Sequence, residues 1–172
     1  MKKAIIISIQ PQWVEKILNE EKTIEIRKTT PNCEMPIDVY IYCTKSDKYH
    51  LDWEFGKTTK EKIWFNWNKK SHHYPFSHYE AEFGEKVPET FNGHIVAKFT
   101  MSYCLAFDKY DKWLIEEKAK LTKDDFYNYK KNKKEIYGWK IKKLEIFKKP
   151  KELSEFGLKR PPQSWQYVEV IK

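Results

Sequence analysis

Apolar positions change their period several times along this chain, and each change predicts an element. Ala4–Ile9 is short, β-branched and flanked by polar residues, which predicts a strand. Pro11 sits where a helix can begin. Trp13, Val14, Ile17 and Leu18 then share one helical face that ends near Asn19. In the next segment Ile24 and Ile26 point one way, while Thr23, Glu25 and Arg27 point the other. Lys22 stands at the mouth of this second strand. Pro31 and Pro36 bracket a loop. Ile37, Val39, Ile41 and Cys43 alternate as a third strand, with Tyr40 and Tyr42 on its opposite face.

The second half repeats these signals. In Gly93–Cys104, Ile95, Ala97, Phe99, Met101 and Tyr103 alternate with His94, Val96, Lys98 and Thr100. Lys109–Lys120 predicts a helix burying Trp113, Leu114 and Ile115. Thr122 is a predicted N-cap, with Asp124 and Asp125 in the first turn of a helix reaching about Asn132. In Tyr137–Phe147 the apolar phase slips between Ile141 and Leu144. One extra residue at Lys142–Lys143 restores it, which predicts a β-bulge. Pro150–Phe156 has room for one helical turn, and Trp165–Ile171 closes the chain as a strand after Pro161-Pro162. About six short strands with a few helices predict an α+β fold, a small mixed barrel that the opening helix plugs or flanks.

Length bounds this picture. With 172 residues the chain can build one sizeable core, so a single domain is expected, carrying a long insertion at about 46–91. That insertion holds Trp53, Trp64, Trp67, His72, His73, Tyr74, Phe76, His78 and Tyr79 with little periodicity. Short elements around an aromatic minicore are expected there. Hydrophobic residues make up 40% and aromatics 16%, which excludes general disorder. No apolar run approaches the ~20 residues of a membrane span. The lysine-led N-terminus has too short an apolar run for a signal peptide and lacks a cleavage site, so a cytoplasmic location is expected. Cys33, Cys43 and Cys104 include no CxxC pair and cannot all pair together, which fits a reducing compartment.

The net charge of +8 is unevenly spread. Residues 108–160 hold 17 Lys and Arg against 10 Asp and Glu, while the rest of the chain is nearly neutral. This surplus is either a solvated lysine face or a surface for phosphates. Only Arg27 and Arg160 are arginine, and such lysine bias also arises from an AT-rich genome.

Residues 20–27, Glu-Glu-Lys-Thr-Ile-Glu-Ile-Arg, follow a strand and a short helix. In that order they resemble the ASCH domain, a member of the PUA-like superfamily, whose signature runs G-x-K-x-x-E-x-R. Lys22, Glu25 and Arg27 match it, and Glu20 occupies the glycine position. Residues 39–45 and 92–104 resemble the family's third and central strands, and residues 137–156 followed by 160–165 resemble the C-terminal half of a subgroup common in phages and their bacterial hosts. The resemblance implies a barrel with a cleft beside the first helix, lined by the signature residues. It also implies RNA binding. Some small members are amidohydrolases on acetylated cytidine, ribonuclease activity is attributed to the family, and PUA-like relatives include readers of modified bases.

Physically, Lys22 offers a point charge, Arg27 a planar fork and Glu25 an acceptor for an exocyclic amine or ring N–H. That set suits a nucleotide. The plainer reading is a surface ion-pair cluster worth about 0–1 kcal/mol. On the first reading, Lys22→Ala and Arg27→Ala should weaken binding without unfolding the protein. Lys22 and Glu25 are also the catalytic candidates, since Lys22 matches the lysine implicated in the amidohydrolases. Those members place a threonine where Glu25 stands, are shorter and lack the insertion. Thr23 points to the same side as Glu25. Thr44, Lys45, Gln163, Ser164 and Trp165 complete the predicted ligand set: Trp165 as a stacking ring, Gln163 and Ser164 as readers of base edges. The turn before Trp165 equally suits simple chain termination and packing. His72, His73 and His78 match no familiar metal spacing, and no metal or cofactor is predicted. The expected partner is RNA or a nucleotide. A protein-interaction role for the aromatic insertion is the other alternative.

Overall fold

The computed structural model describes residues 2–46, 91–107, 111 and 113–170. The strands are β1 (Lys2–Ile9), β2 (Ile24–Arg27), β3 (Ile37–Cys43), β4 (Ile95–Phe107), β5 (Ile136–Lys151) and β6 (Trp165–Val170). Helix α1 spans Pro11–Leu18 and α2 spans Lys123–Lys130; a π-helical turn covers Leu114–Lys118 and a 3₁₀ turn Leu153–Phe156. The aromatic insertion, apart from its end residues, lies outside the described residues.

The six described strands form one sheet in the order β2-β5-β4-β3-β1-β6. β1 and β3 run parallel, joined through α1 and β2, and the other neighbours are antiparallel. The fold is therefore the expected small α+β one. Among the described strands, however, the ladder does not close, with β2 and β6 at its two ends. The predicted barrel is an open, curled sheet.

Strand alternation sends side chains into cores on both sides. Ile5, Ile7 and Ile9 of β1 meet Val14, Ile17 and Leu18 of α1, with Val39, Phe99, Met101 and Trp139 in the same cluster. Ala4 and Ile6 enter another cluster with Tyr42, Ile95 and Val168, covered by Leu153 and Phe156 of the 3₁₀ turn. Each fully buried isoleucine contributes about 1.5–3 kcal/mol. A third cluster packs Ile24 and Ile26 of β2 against Phe107, Ile115, Ala119 and Phe126. It joins the helical segment 113–130 to the sheet. Gly138 makes this contact possible, since a Cβ there would lie 2.6 Å from the ring of Phe107 and 2.8 Å from Cγ2 of Ile24.

The predicted bulge is present. Lys98 pairs with Glu145 and Thr100 with Lys142, so three steps on β5 oppose two on β4. Lys143 takes up the extra residue with φ 49°. Thr122 caps α2: its hydroxyl accepts from the N–H of Asp125, whose carboxylate in turn accepts from the N–H of Thr122. The helix expected over 109–120 is, where described, only the π-helical turn. Ile115 is buried as predicted, but Trp113 is 61% exposed. A single π turn has too little apolar face to bury three consecutive bulky residues.

Candidate functional site

The site begins at the end of α1. Asn19 ends the helix, and Glu20 follows with φ 59°, a left-handed conformation. The N–H of Glu21 donates to the carbonyl of Lys16 and that of Glu20 to the carbonyl of Ile17, the two bonds of a Schellman motif. Glu20 thus holds the backbone conformation that glycine adopts freely. Glu20 stands at the glycine position of the signature and forms this turn itself. The N–H of Lys22 also donates to Lys16, and that of Thr23 to the carbonyl of Lys118. These bonds aim the chain into β2.

β2 is buried on both faces. Ile24 and Ile26 enter the helical cluster, and Glu25 and Arg27 point the other way into the protein. Lys22, Glu25 and Arg27 are only 2%, 4% and 8% exposed. The Glu25 carboxylate receives Arg27 Nη1 on Oε1 at 2.8 Å, and Lys22 Nζ stands 3.4 Å from Oε2. Lys22 Nζ donates to the carbonyl of Ala119 at 2.6 Å and lies 5.5 Å from the ring centre of Trp13. Arg27 Nη2 donates to the carbonyl of Ser8 at 2.7 Å, and Nη1 to its neighbour Ile26 at 3.2 Å. The surface ion-pair reading is therefore overturned. So is the picture of Lys22 as a mobile donor at the rim, because the amine is tied to a backbone carbonyl inside the protein.

Burial sets the electrostatics. Desolvation pushes the Lys22 amine below the ordinary lysine range, and the Glu25 charge pulls it only partly back. Two cations face one carboxylate. Among the described residues Arg27 Nε and the Thr23 hydroxyl have no hydrogen-bond partner, and Glu25 Oε2 has only the 3.4 Å ion pair with Lys22 Nζ. The polar groups left open among the described residues are thus an N–H donor and a hydroxyl, beside a carboxylate oxygen held only by the Lys22 amine, all on or beside one short strand.

Ser8 joins this cluster to the predicted terminal turn. Its carbonyl takes Arg27, its N–H donates to the carbonyl of Ser164 at 2.9 Å, and its hydroxyl donates to the carbonyl of Pro162 at 2.6 Å. Ser164 therefore lies one residue from the charges, through its backbone. The Trp165 indole N–H donates to the Thr29 hydroxyl at 2.9 Å, and its ring meets Trp139 and Tyr167 edge-on. Trp165 is a packed member of an aromatic row, holding the loop after β2. Gln163 is exposed. The N–H of Thr44 donates to Ile9, and the Lys45 stem lies over Gly93. Among the described residues no bond joins Thr44, Lys45 or Gln163 to the charged cluster. Ser8, Trp13, Thr29, Ala119 and Trp139 contact the site and were not predicted. Ser8 alone carries a signal, as the one polar residue within Ala4–Ile9.

A mixed sheet, a helix after its first strand and a charged second strand make a small α+β fold, and solved ASCH structures share it. ASCH from Zymomonas mobilis is similar in structure at TM-score 0.61 and 14% sequence identity, with 96% of this chain and 87% of that chain covered. Two single-substitution variants of that protein match at the same TM-score and 13% identity; they cover 98% and 96% of this chain, and 91% and 88% of their own. No family model matches the chain, and neither does any curated protein. The structural likeness establishes the fold. Among the described residues no helix is long and apolar enough to cross a membrane.

Proposed function

We propose that the protein binds RNA or a nucleotide, a modified base included, at a cleft beside α1 whose floor is Lys22, Glu25 and Arg27. One observation carries the reading. A carboxylate and a guanidinium are held inside the protein; among the described residues Arg27 Nε and the nearby Thr23 hydroxyl have no hydrogen-bond partner, and Glu25 Oε2 meets only the Lys22 amine, at 3.4 Å. Buried polar atoms without partners are costly, and in native proteins they call for a reason. An adjacent acceptor and donor suit the paired donor–acceptor edge of a base. Thr44, Lys45, Gln163, Ser164 and Trp165 belong to this proposal as rim residues, with Ser164 nearest to it through Ser8.

Burial decides the test. Lys22→Ala and Arg27→Ala would strand a buried charge and disturb the fold, so they cannot isolate binding. Glu25→Gln and Arg27→Lys keep the shape. The experiment is binding of short RNA and a panel of free nucleosides, acetylcytidine included, across a salt series. Both variants should stay folded and bind at least about tenfold more weakly, the loss of one charged hydrogen bond. Unchanged affinity in folded variants defeats the proposal.

The lowered pKa of Lys22 favours a second reading, an amidohydrolase on an acylated nucleoside, because a desolvated amine is a better nucleophile or base at neutral pH. Acetylcytidine consumption that Lys22→Met abolishes, with folding retained, would establish it.

A further inference from the structure

The buried charges leave a second basic feature unused. β2 starts between two lysine-bearing segments. Thr23 donates its N–H to the carbonyl of Lys118 at 2.8 Å, and the next residue, Ile24, pairs with Lys140 of β5. Lys142 is two residues beyond Lys140, so strand alternation puts both on one face. It is the face of Gly138, opposite buried Trp139 and Ile141. Lys118, Lys140 and Lys142 thus converge around the first residue of β2. Among the described residues none of the three is ion-paired, although Lys98 and Lys151 have found Glu145 and Glu155. Burial and then the charges of Lys118 and Lys142 hold the Lys140 amine below the ordinary lysine range.

Trp113 adjoins this group. It is 61% exposed, with Lys118 Nζ 4.9 Å from its ring centre. The other described tryptophans, Trp13, Trp139 and Trp165, all pack into the main core cluster.

We propose that Trp113, Lys118, Lys140 and Lys142 form a surface site for single-stranded nucleic acid, with phosphates on the lysines and an unpaired base stacked on Trp113. Crowded like charges cost free energy that a polyanion relieves. An exposed indole finds a stacking partner in a single strand, whose bases are free, and not in a duplex. The proposal rests on the RNA-binding reading above and carries it from the buried strand to the surface.

The test is fluorescence anisotropy on the intact chain. Its probes are labelled oligouridylate and oligothymidylate of about 20 nucleotides, long enough for one site, and a duplex of equal length. Trp113→Ala should weaken oligouridylate binding by about fivefold to a hundredfold, as loss of one stacked base does. Lys140→Gln with Lys142→Gln should weaken it and flatten the salt slope by about 1.4, two single-strand phosphate contacts. Equal binding of both oligomers assigns the shared single-strand chemistry, and a preference names RNA or DNA. Oligomer affinity untouched by these variants, or preference for the duplex, overturns the proposal. If the wild type binds nucleosides through Glu25 and Arg27 but no oligomer, this proposal fails and the cleft reading stands. If the oligomer depends on Trp113 and the lysines while Glu25→Gln and Arg27→Lys change no probe, the cleft reading fails and this one stands.

Discussion

Arg27 Nη2 donates to the carbonyl oxygen of Ser8 at 2.7 Å, joining a terminal strand of the sheet to the strand next to its other end. In a closed barrel a backbone ladder would make that connection. Here a guanidinium spans the gap, and the Trp165 indole bonded to Thr29 spans it again. Arg27→Ala should therefore destabilise the protein by about 3–5 kcal/mol, because Ser8 loses its donor and Glu25 its main partner. Arg27→Lys keeps a cation by Glu25 but lacks the fork, and should cost about 1–3 kcal/mol. Urea unfolding of both variants checks the order. Two variants within about 0.5 kcal/mol of wild type would show that Arg27 holds nothing together.

Lys22 makes stability depend on pH. In the unfolded chain its amine keeps a proton up to the ordinary value of 10.5, whereas the folded protein releases it at lower pH. Between those values the unfolded state binds more protons, so stability rises with pH. The contribution is complete above the unfolded pKa and is lost as pH falls through the window. Lys22→Met lacks it. The stability of wild type relative to Lys22→Met should thus improve as the pH rises through the alkaline range toward the ordinary lysine value of 10.5. A difference that stays constant across denaturant titrations in that range would contradict the lowered pKa.

Glu20 carries backbone strain at the Schellman turn, with φ 59°. A residue with a Cβ costs about 1–2 kcal/mol there, and glycine's greater freedom when unfolded returns part of it. Glu20→Gly should raise stability by about 0.5–1 kcal/mol, or a melting temperature by about 1–4 °C. Glu20→Ala, which keeps the Cβ, is the control. Equal melting temperatures for the two would remove the conformational explanation.

Gly138 tests the packing that carries β2. A methyl group there would press on Phe107 and Ile24, the latter two residues from Lys22. Gly138→Ala should cost about 1–3 kcal/mol, the usual penalty of overpacking. The shorter side chain of Ile24→Val should return part of that cost in the double variant. Additive effects in thermal unfolding would mean that the two residues do not compete for space.

Local rules wrote much of this fold visibly into the chain. Alternation marks β3 and most of β4, Thr122 and Asp125 announce α2, and the phase slip at Lys142–Lys143 is the bulge at Lys143. Each is a property of neighbouring residues and backbone geometry, so each can be read in order. The side to which Glu25 and Arg27 point was legible for the same reason. Their environment was not. Alternation says that Ile24 and Glu25 face opposite ways, but not that β2 is covered on both faces. Nor does it show Trp113 in solvent and Trp165 in an aromatic row: Trp113 leads an apolar run that predicts burial, and Trp165 follows a polar turn. Lys22 is buried because the carbonyl of Ala119, 97 residues later, comes to meet it. Contacts of that separation form only when the sheet curls and the helical segment docks, and no local pattern encodes them.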